Sequence, residues 1–243
     1  MDTVTLFGIR VLCAPRRAEL LTAAAELIGK GGVIATVNPE IIEIARKRPE
    51  LYRALCYSLN IPDGRGVALA AALRGSRCAV FPGVELGEAL LDIAPLRLGI
   101  IGGEGDTSKE ALQALAARHG GTVPVLSASG FGIGAGEYAA LVREARADMV
   151  FVCMGAGRQE LLAAELHREY PSALYVCLGG SVNVYAGRVR RAPRLWRTLG
   201  LEWLWRALRE PQRFVRIFRS LPFFGCIFAP KCADNAKKSS KNH

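Results

Sequence analysis

DMVFVCMGAGRQELLAAELHREY, residues 148–170, decides the fold. Its first eight residues form a short apolar run that stops at a glycine, the pattern of a buried strand. Gly155-Ala156-Gly157 follows as a turn, and QELLAAELHREY then carries apolar residues at helical spacing. A strand, a glycine turn and a helix are one half of a crossover unit. The same alternation continues in both directions. GVIATVN (32–38), LYRALCYSLN (51–60), RCAVF (77–81), LRLGIIG (96–102) and ALYVCLGG (173–180) read as strands. PEIIEIARKRPELYRAL (39–55), VELGEALLDIA (84–94) and DTSKEALQALAARHG (106–120) read as helices. Asp106 or Thr107 offers the last of these an N-cap, with Glu110 in the next turn. The pattern predicts an α/β fold, a parallel sheet with helices on both faces.

In such sheets ligands bind beyond the carboxyl ends of the strands. Gly102-Gly103, Gly155-Ala156-Gly157 and Gly179-Gly180 therefore point to one rim, although each glycine pair also serves simply as a tight turn. Asp63, in Ile61-Pro62-Asp63-Gly64-Arg65, sits on a turn just past an apolar run. A carboxylate there is ionised at neutral pH and can accept a proton from an attacking hydroxyl; an Asx turn or helix cap is the competing role. Thr36 and Asn38 stand at another strand-to-helix junction, where their side chains suit a sugar and where Asn38 also suits an N-cap. Gln159, at a helix start after a glycine turn, suits a nucleotide or sugar, or is a solvated first-turn side chain.

The chain has 243 residues, 51% of them hydrophobic, enough to bury a full core. No long uninterrupted apolar run or leader pattern is evident, so a cytoplasmic location is expected. Seven cysteines include no CxxC pair and most lie in apolar stretches, where a reduced thiol packs as a small hydrophobe. The net charge of +10 is uneven: residues 188–243 hold 14 Lys/Arg against Glu202, Glu210 and Asp234, whereas residues 1–187 carry about −1. Residues 188–228 thus form an arginine-rich, amphipathic helical appendage. Arg206, Arg209, Arg213, Arg216 and Arg219 alternate with Phe214, Ile217, Phe218, Leu221 and Phe223, and Pro211 divides the segment. The appendage suits an anionic membrane surface or a docked helix with solvated arginines. Nucleic acid is not expected, since the body adds no basic patch or binding motif. Residues 229–243 read as disordered.

A diphosphate leaving group needs a metal, cations or helix N-termini to offset its charge. There is no Asp-x-Asp, and His119 and His167 are isolated, so no metal or other cofactor is expected and arginine is the better candidate. No GxGxxG opens a helix with a ribose-binding acid beyond it, which disfavours a dinucleotide oxidoreductase.

Read together, TVNPEIIEIARKRPELYRAL, IPDGRGVALAAALRG, LGIIGGEG, DMVFVCMGAGRQE, GGSVNVYAGRVRRAP and LGLEWLWRALREPQRFVRIFR occur in an order that resembles the WecG/TagA/CpsF glycosyltransferase family, from Leu6 to Leu221. The resemblance implies a Rossmann-like core over residues 1–187 and metal-free, inverting transfer of an N-acetylmannosamine-type sugar. The donor would be a UDP-sugar and the acceptor N-acetylglucosamine on a polyprenyl diphosphate, in cell-surface polysaccharide or teichoic acid synthesis. By motif, Asp63 matches the proposed base, Thr36 and Asn38 a polar pair of the site, and Gln159 a substrate-binding glutamine. Arg206, Arg213 and Arg216 match arginines that hold the diphosphate. The resemblance further implies a peripheral location on the inner face of the plasma membrane and a core that can form homo-oligomers. Ala156, Gly157, Arg158, Asn183 and Glu85 depart from the family pattern, on loops that bear on the donor. A nucleotide-binding or membrane-surface module without transferase activity is the alternative reading.

Overall fold

A computed structural model describes residues 2–193, 195–196, 202–209 and 214–228. The chain opens with an antiparallel hairpin, β1 (Asp2–Leu6) and β2 (Ile9–Cys13), closed by Phe7 and Gly8. Both turn residues have positive φ, 51° and 84°, the arrangement that matches the twist of a two-residue hairpin. Gly8 is required for a second reason: a Cβ there would collide with the Tyr52 hydroxyl.

The remaining strands are β3 (Gly32–Val37), β4 (Leu59–Pro62), β5 (Leu96–Gly102), β6 (Thr122–Ala128), β7 (Met149–Cys153) and β8 (Leu174–Cys177). They form one parallel sheet in the order β4-β3-β8-β7-β5-β6. Helices α1 (Arg17–Ala25), α5 (Gly83–Leu91), α6 (Thr107–Arg118) and α9 (Ser181–Tyr185) cover one face. Against the other lie α2 (Pro39–Lys47), α3 (Pro49–Tyr57), α4 (Arg65–Ala72), α7 (Ala135–Glu144) and α8 (Arg158–Glu169). Because both faces are covered, β7 is apolar at every position. Met149, Phe151 and Cys153 enter the core on the α5 side, while Val150 and Val152 enter the core beneath α7 and α8. The predicted α/β architecture is therefore the observed one.

Two strand readings are corrected. Residues 51–57 belong to α3, and only Leu59 and Asn60 of that stretch enter β4. Pro49 opens the helix, and Leu51 and Leu55, one turn apart, are its buried stripe. Residues 77–81 form no strand. Ala79 N–H donates to Ala14 O at 2.7 Å and Phe81 N–H to Pro62 O at 2.9 Å, too few rungs for a ladder. Asp106 takes the N-cap position of α6 without a side-chain capping bond, and Glu110 is instead bonded by Arg188.

The hairpin shields the β4 edge. Asn60, 2% exposed, donates from Nδ2 to Arg10 O at 2.8 Å and to Leu55 O at 2.7 Å, joining hairpin, α3 and β4. Beyond the sheet, α10 (Glu202–Arg209) and α11 (Phe214–Phe228) lie in the basic segment. Phe223 of α11 is fully buried in the same core as Val4, Leu6, Ile41 and Leu51, with its ring 5.7 Å from that of Phe7. Gly66 of α4 lets both α2 and this helix come close: a Cβ there would collide with Pro39 Cγ at 2.5 Å and stand 3.1 Å from Phe224 Cζ. Residues 229–243, read from sequence as a disordered tail, lie outside the described residues.

Candidate functional site

Three adjacent strands, β4, β3 and β8, end together, and the first two carry Asp63, Thr36 and Asn38 to one rim. Thr36 pairs in register with Ile61 and Val37 with Pro62, so Asn38 and Asp63 are the next positions on neighbouring strands. Neighbouring strands run about 4.8 Å apart. Asp63 is half-buried, and its N–H donates to Val37 O at 2.7 Å, which ties the β4 turn to the end of β3. Gly64 follows with φ 93°, a conformation that excludes side chains and sharpens the turn into α4. Asn38 caps α2, its Oδ1 accepting the Ile41 N–H at 3.1 Å. Thr36 is buried and donates to Cys177 O at 2.7 Å, joining β3 to β8. Against it packs Gly83, the first residue of α5, where a Cβ would stand 3.4 Å from Thr36 Oγ1.

Gln159 arrives from α8. It is 3% exposed; its Oε1 accepts the Gly179 N–H just past β8 at 2.9 Å, and its Nε2 donates to Glu160 Oε1 at 2.6 Å. The solvated first-turn reading of Gln159 is thereby excluded. Glu160 was not singled out from the sequence. It is 1% exposed and its Oε2 accepts the Gly157 N–H at 2.7 Å. Burial pushes its carboxyl up to about 7, outweighing these hydrogen bonds, and the carboxylate of Glu40 on α2 adds to the rise. The only trace of this role in the sequence is its place three residues after a helix-capping glycine, where an acid closes the first turn.

The first turns of α2, α4, α5 and α8 lie at this rim, and the positive ends of their helix dipoles favour an anion there. A second notch lies between β5 and β7, where the crossovers to β6 and β8 leave in opposite directions. Gly130 N–H donates to Gly103 O at 3.0 Å, closing the loops of this notch. Arg158 donates to Gly130 O at 3.0 Å and lies over the Phe131 ring, 5.2 Å from its centroid. Phe131 is 59% exposed, so the loop presents a braced aromatic face. On the opposite flank, Arg17 and Arg191 both bond Glu85, at 2.5 and 2.8 Å. Burial raises the Glu85 carboxyl, but Arg191 and then Arg17 outweigh it and hold the group below the usual carboxylate range. Arg191 also lies 3.8 Å from Glu202, so it links α5 to α10.

Next to Asp63 a groove of about 540 Å³ runs between α4 and α11, lined by Arg65, Gly66, Ala68, Leu69, Val80 and Phe224. Arg213 and the side chains of Arg206 and Arg216 lie outside the described residues. Among the described residues no group of three His, Cys, Asp or Glu side chains is placed to hold a metal ion. No helix among them is long and apolar enough to cross a membrane.

A doubly covered parallel sheet with a carboxylate, a polar pair and several helix N-termini at its carboxyl end defines a Rossmann-like α/β protein. The chain matches the model of the Glycosyl transferase WecG/TagA/CpsF family over residues 4–238, and it belongs to that family. It is thus a glycosyltransferase, whose substrates are a nucleotide-sugar donor and an acceptor.

Proposed function

We propose that this chain is an inverting transferase that moves an N-acetylmannosamine-type sugar from UDP to N-acetylglucosamine on a polyprenyl diphosphate, for cell-surface polysaccharide or teichoic acid synthesis. The observation that carries the reading is the placement of Asp63 beside Asn38 and Thr36 at the rim, in a chain of this family. In the reaction the acceptor hydroxyl attacks the anomeric carbon from the face opposite UDP. The new C–O bond forms as the bond to the diphosphate breaks, Asp63 takes the hydroxyl proton, and UDP leaves with the bonding electron pair. The helix N-termini at the rim, with Arg206, Arg213 and Arg216 of the appendage, offset the charge that develops on the diphosphate, so no metal is needed. The exposed ring of Phe131 suits the planar base.

The appendage supports a peripheral position on the inner membrane face. On α11, Val215, Phe218 and Leu221 are more than half exposed beside the exposed Arg219, an apolar surface with cationic charge. Oligomers of the core would accompany the unbound state.

The test is UDP release from a panel of UDP-sugars, with a short-chain polyprenyl-diphosphate-linked N-acetylglucosamine in vesicles as acceptor. Acceptor-dependent release from one donor is expected, and Asp63→Asn should lower it about 100-fold or more, with an unchanged urea midpoint. Near-normal transfer by a folded Asp63→Asn protein would remove Asp63 as the base.

A further inference from the structure

Gln159 and Glu160 form a closed hydrogen-bond chain between two turns: Gly179 N–H to Gln159 Oε1, Gln159 Nε2 to Glu160 Oε1, and Gly157 N–H to Glu160 Oε2. The two turns follow β8 and β7, neighbouring strands, and both glycines have positive φ, 58° at Gly179 and 88° at Gly157. Such turns have no side chain of their own to fix them, so the chain acts as their strut. A carboxamide has one accepting and one donating end, and here the order is forced. Were Gln159 reversed, its N–H₂ would face the Gly179 N–H and its oxygen would face the Glu160 carboxylate, losing both bonds. With both side chains at most 3% exposed, water is a poor substitute.

We propose that Glu160 is a positioning residue of the transferase site: it holds the Gln159 carboxamide one way round, and through it the Gly179 amide and the β8–α9 turn, in the geometry that receives the donor. Gln159 acts in this scheme as a strut between turns. The inference rests on the proposed transferase function and deepens it.

The exchange of acid and amide provides the test. In Gln159→Glu/Glu160→Gln the new carboxylate accepts from Gly179 N–H and from the new amide, whose oxygen accepts from Gly157 N–H, so every bond is remade with the same net charge. Glu160→Gln breaks a link, and Gln159→Glu sets two carboxyls against each other, a link lost once both are ionised. Transfer kinetics and amide hydrogen exchange of the peptide spanning 178–181 are measured for the two singles and the exchanged pair. Both singles should lower kcat/KM for the UDP-sugar about 10-fold, the worth of one charge-assisted hydrogen bond, and speed exchange at Gly179. The acceptor KM should stay as it was, and the exchanged pair should recover both donor kinetics and exchange protection. A purely structural role would leave kcat/KM in step with the folded fraction. Unaltered exchange in Glu160→Gln, or an exchanged pair that folds and protects Gly179 yet does not regain turnover, overturns the proposal. The exchange arm needs no sugar, so absence of turnover in the unmodified protein counts against the transferase reading and not against the strut.

Discussion

Glu160 makes the stability of this fold depend on pH in an unusual direction. Burial pushes its carboxyl up to about 7 from the ordinary 4.5, with Glu40 contributing further. A raised carboxylate pKa means that the folded state binds a proton which the unfolded state releases. Stability is therefore full below pH 4.5, falls as pH rises toward 7, and stays low above it. A rise from 4.5 to about 7, at 1.36 kcal/mol per unit, amounts to roughly 3 kcal/mol. Most of this lies between pH 5 and 8. The assay is urea unfolding of the unmodified protein and of Glu160→Gln at several pH values across that range, taken as a difference so that other titrating groups cancel. The advantage of the unmodified protein over the variant should shrink by about 2–3 kcal/mol from pH 5 to pH 8. Glu40→Gln, by removing the neighbouring like charge, should move the midpoint of this loss to lower pH. A difference that stays constant across the range refutes the argument, because it would mean that Glu160 ionises in the folded state as easily as in the unfolded chain.

Three further outcomes are expected. Phe223→Ala removes a fully buried ring from the core that α11 shares with the hairpin and α2, a loss bounded at about 3–5 kcal/mol, but α11 can detach before the sheet unfolds. Limited proteolysis should therefore cut within 214–228 well below the urea midpoint of the core, and an unchanged cleavage rate would argue against docking through Phe223. Gly87→Ala would normally strengthen a helix by about 1 kcal/mol. Here a Cβ would collide with the Tyr185 hydroxyl and stand 2.9 Å from Leu178 Cδ1, so a net loss of about 1–3 kcal/mol is expected by thermal or urea unfolding, and a gain would contradict the packing. Binding to anionic vesicles should weaken as salt shortens the Debye length below its physiological value of about 8 Å, and binding unchanged at 1 M salt would remove the electrostatic part of the membrane reading.

What could be read in advance follows from which signals are local. β3, β5, β7 and β8 are buried on both faces, so each is a short apolar run that composition alone reveals. β6 is an edge strand whose Val123 is half exposed and which contains Pro124, so it has neither the run nor the propensity. Residues 51–57 misled because Leu, Tyr and Cys at helical spacing also satisfy an apolar-run criterion, and only Pro49 marks the helix start. At the site, Asp63, Thr36 and Asn38 stand out as polar residues at strand ends. Glu160 does not, because nothing in the sequence distinguishes a buried glutamate from a solvated one; its burial comes from the packing of α8 against α3 and the sheet. Glu85 is similar, since its partners Arg17 and Arg191 lie 68 and 106 residues away.

The position of the appendage connects the two halves of the proposed chemistry. Helix N-termini stabilise a bound diphosphate, but only partial charge is available from each, while two phosphates carry full charges that grow as UDP departs. The described contacts bring two stretches of the appendage to this rim. Phe223 and Phe224 seat α11 on the starts of α2 and α4, within one turn of Asn38 and Asp63, and Arg191 joins α10 to the start of α5. The apolar face of α11 is thereby divided: Phe223 faces the core, and Phe218 and Leu221 are left outside. On the proposed function, one short helix would then meet both the membrane surface and the rim, and the acceptor's location and the completion of the site would be a single event.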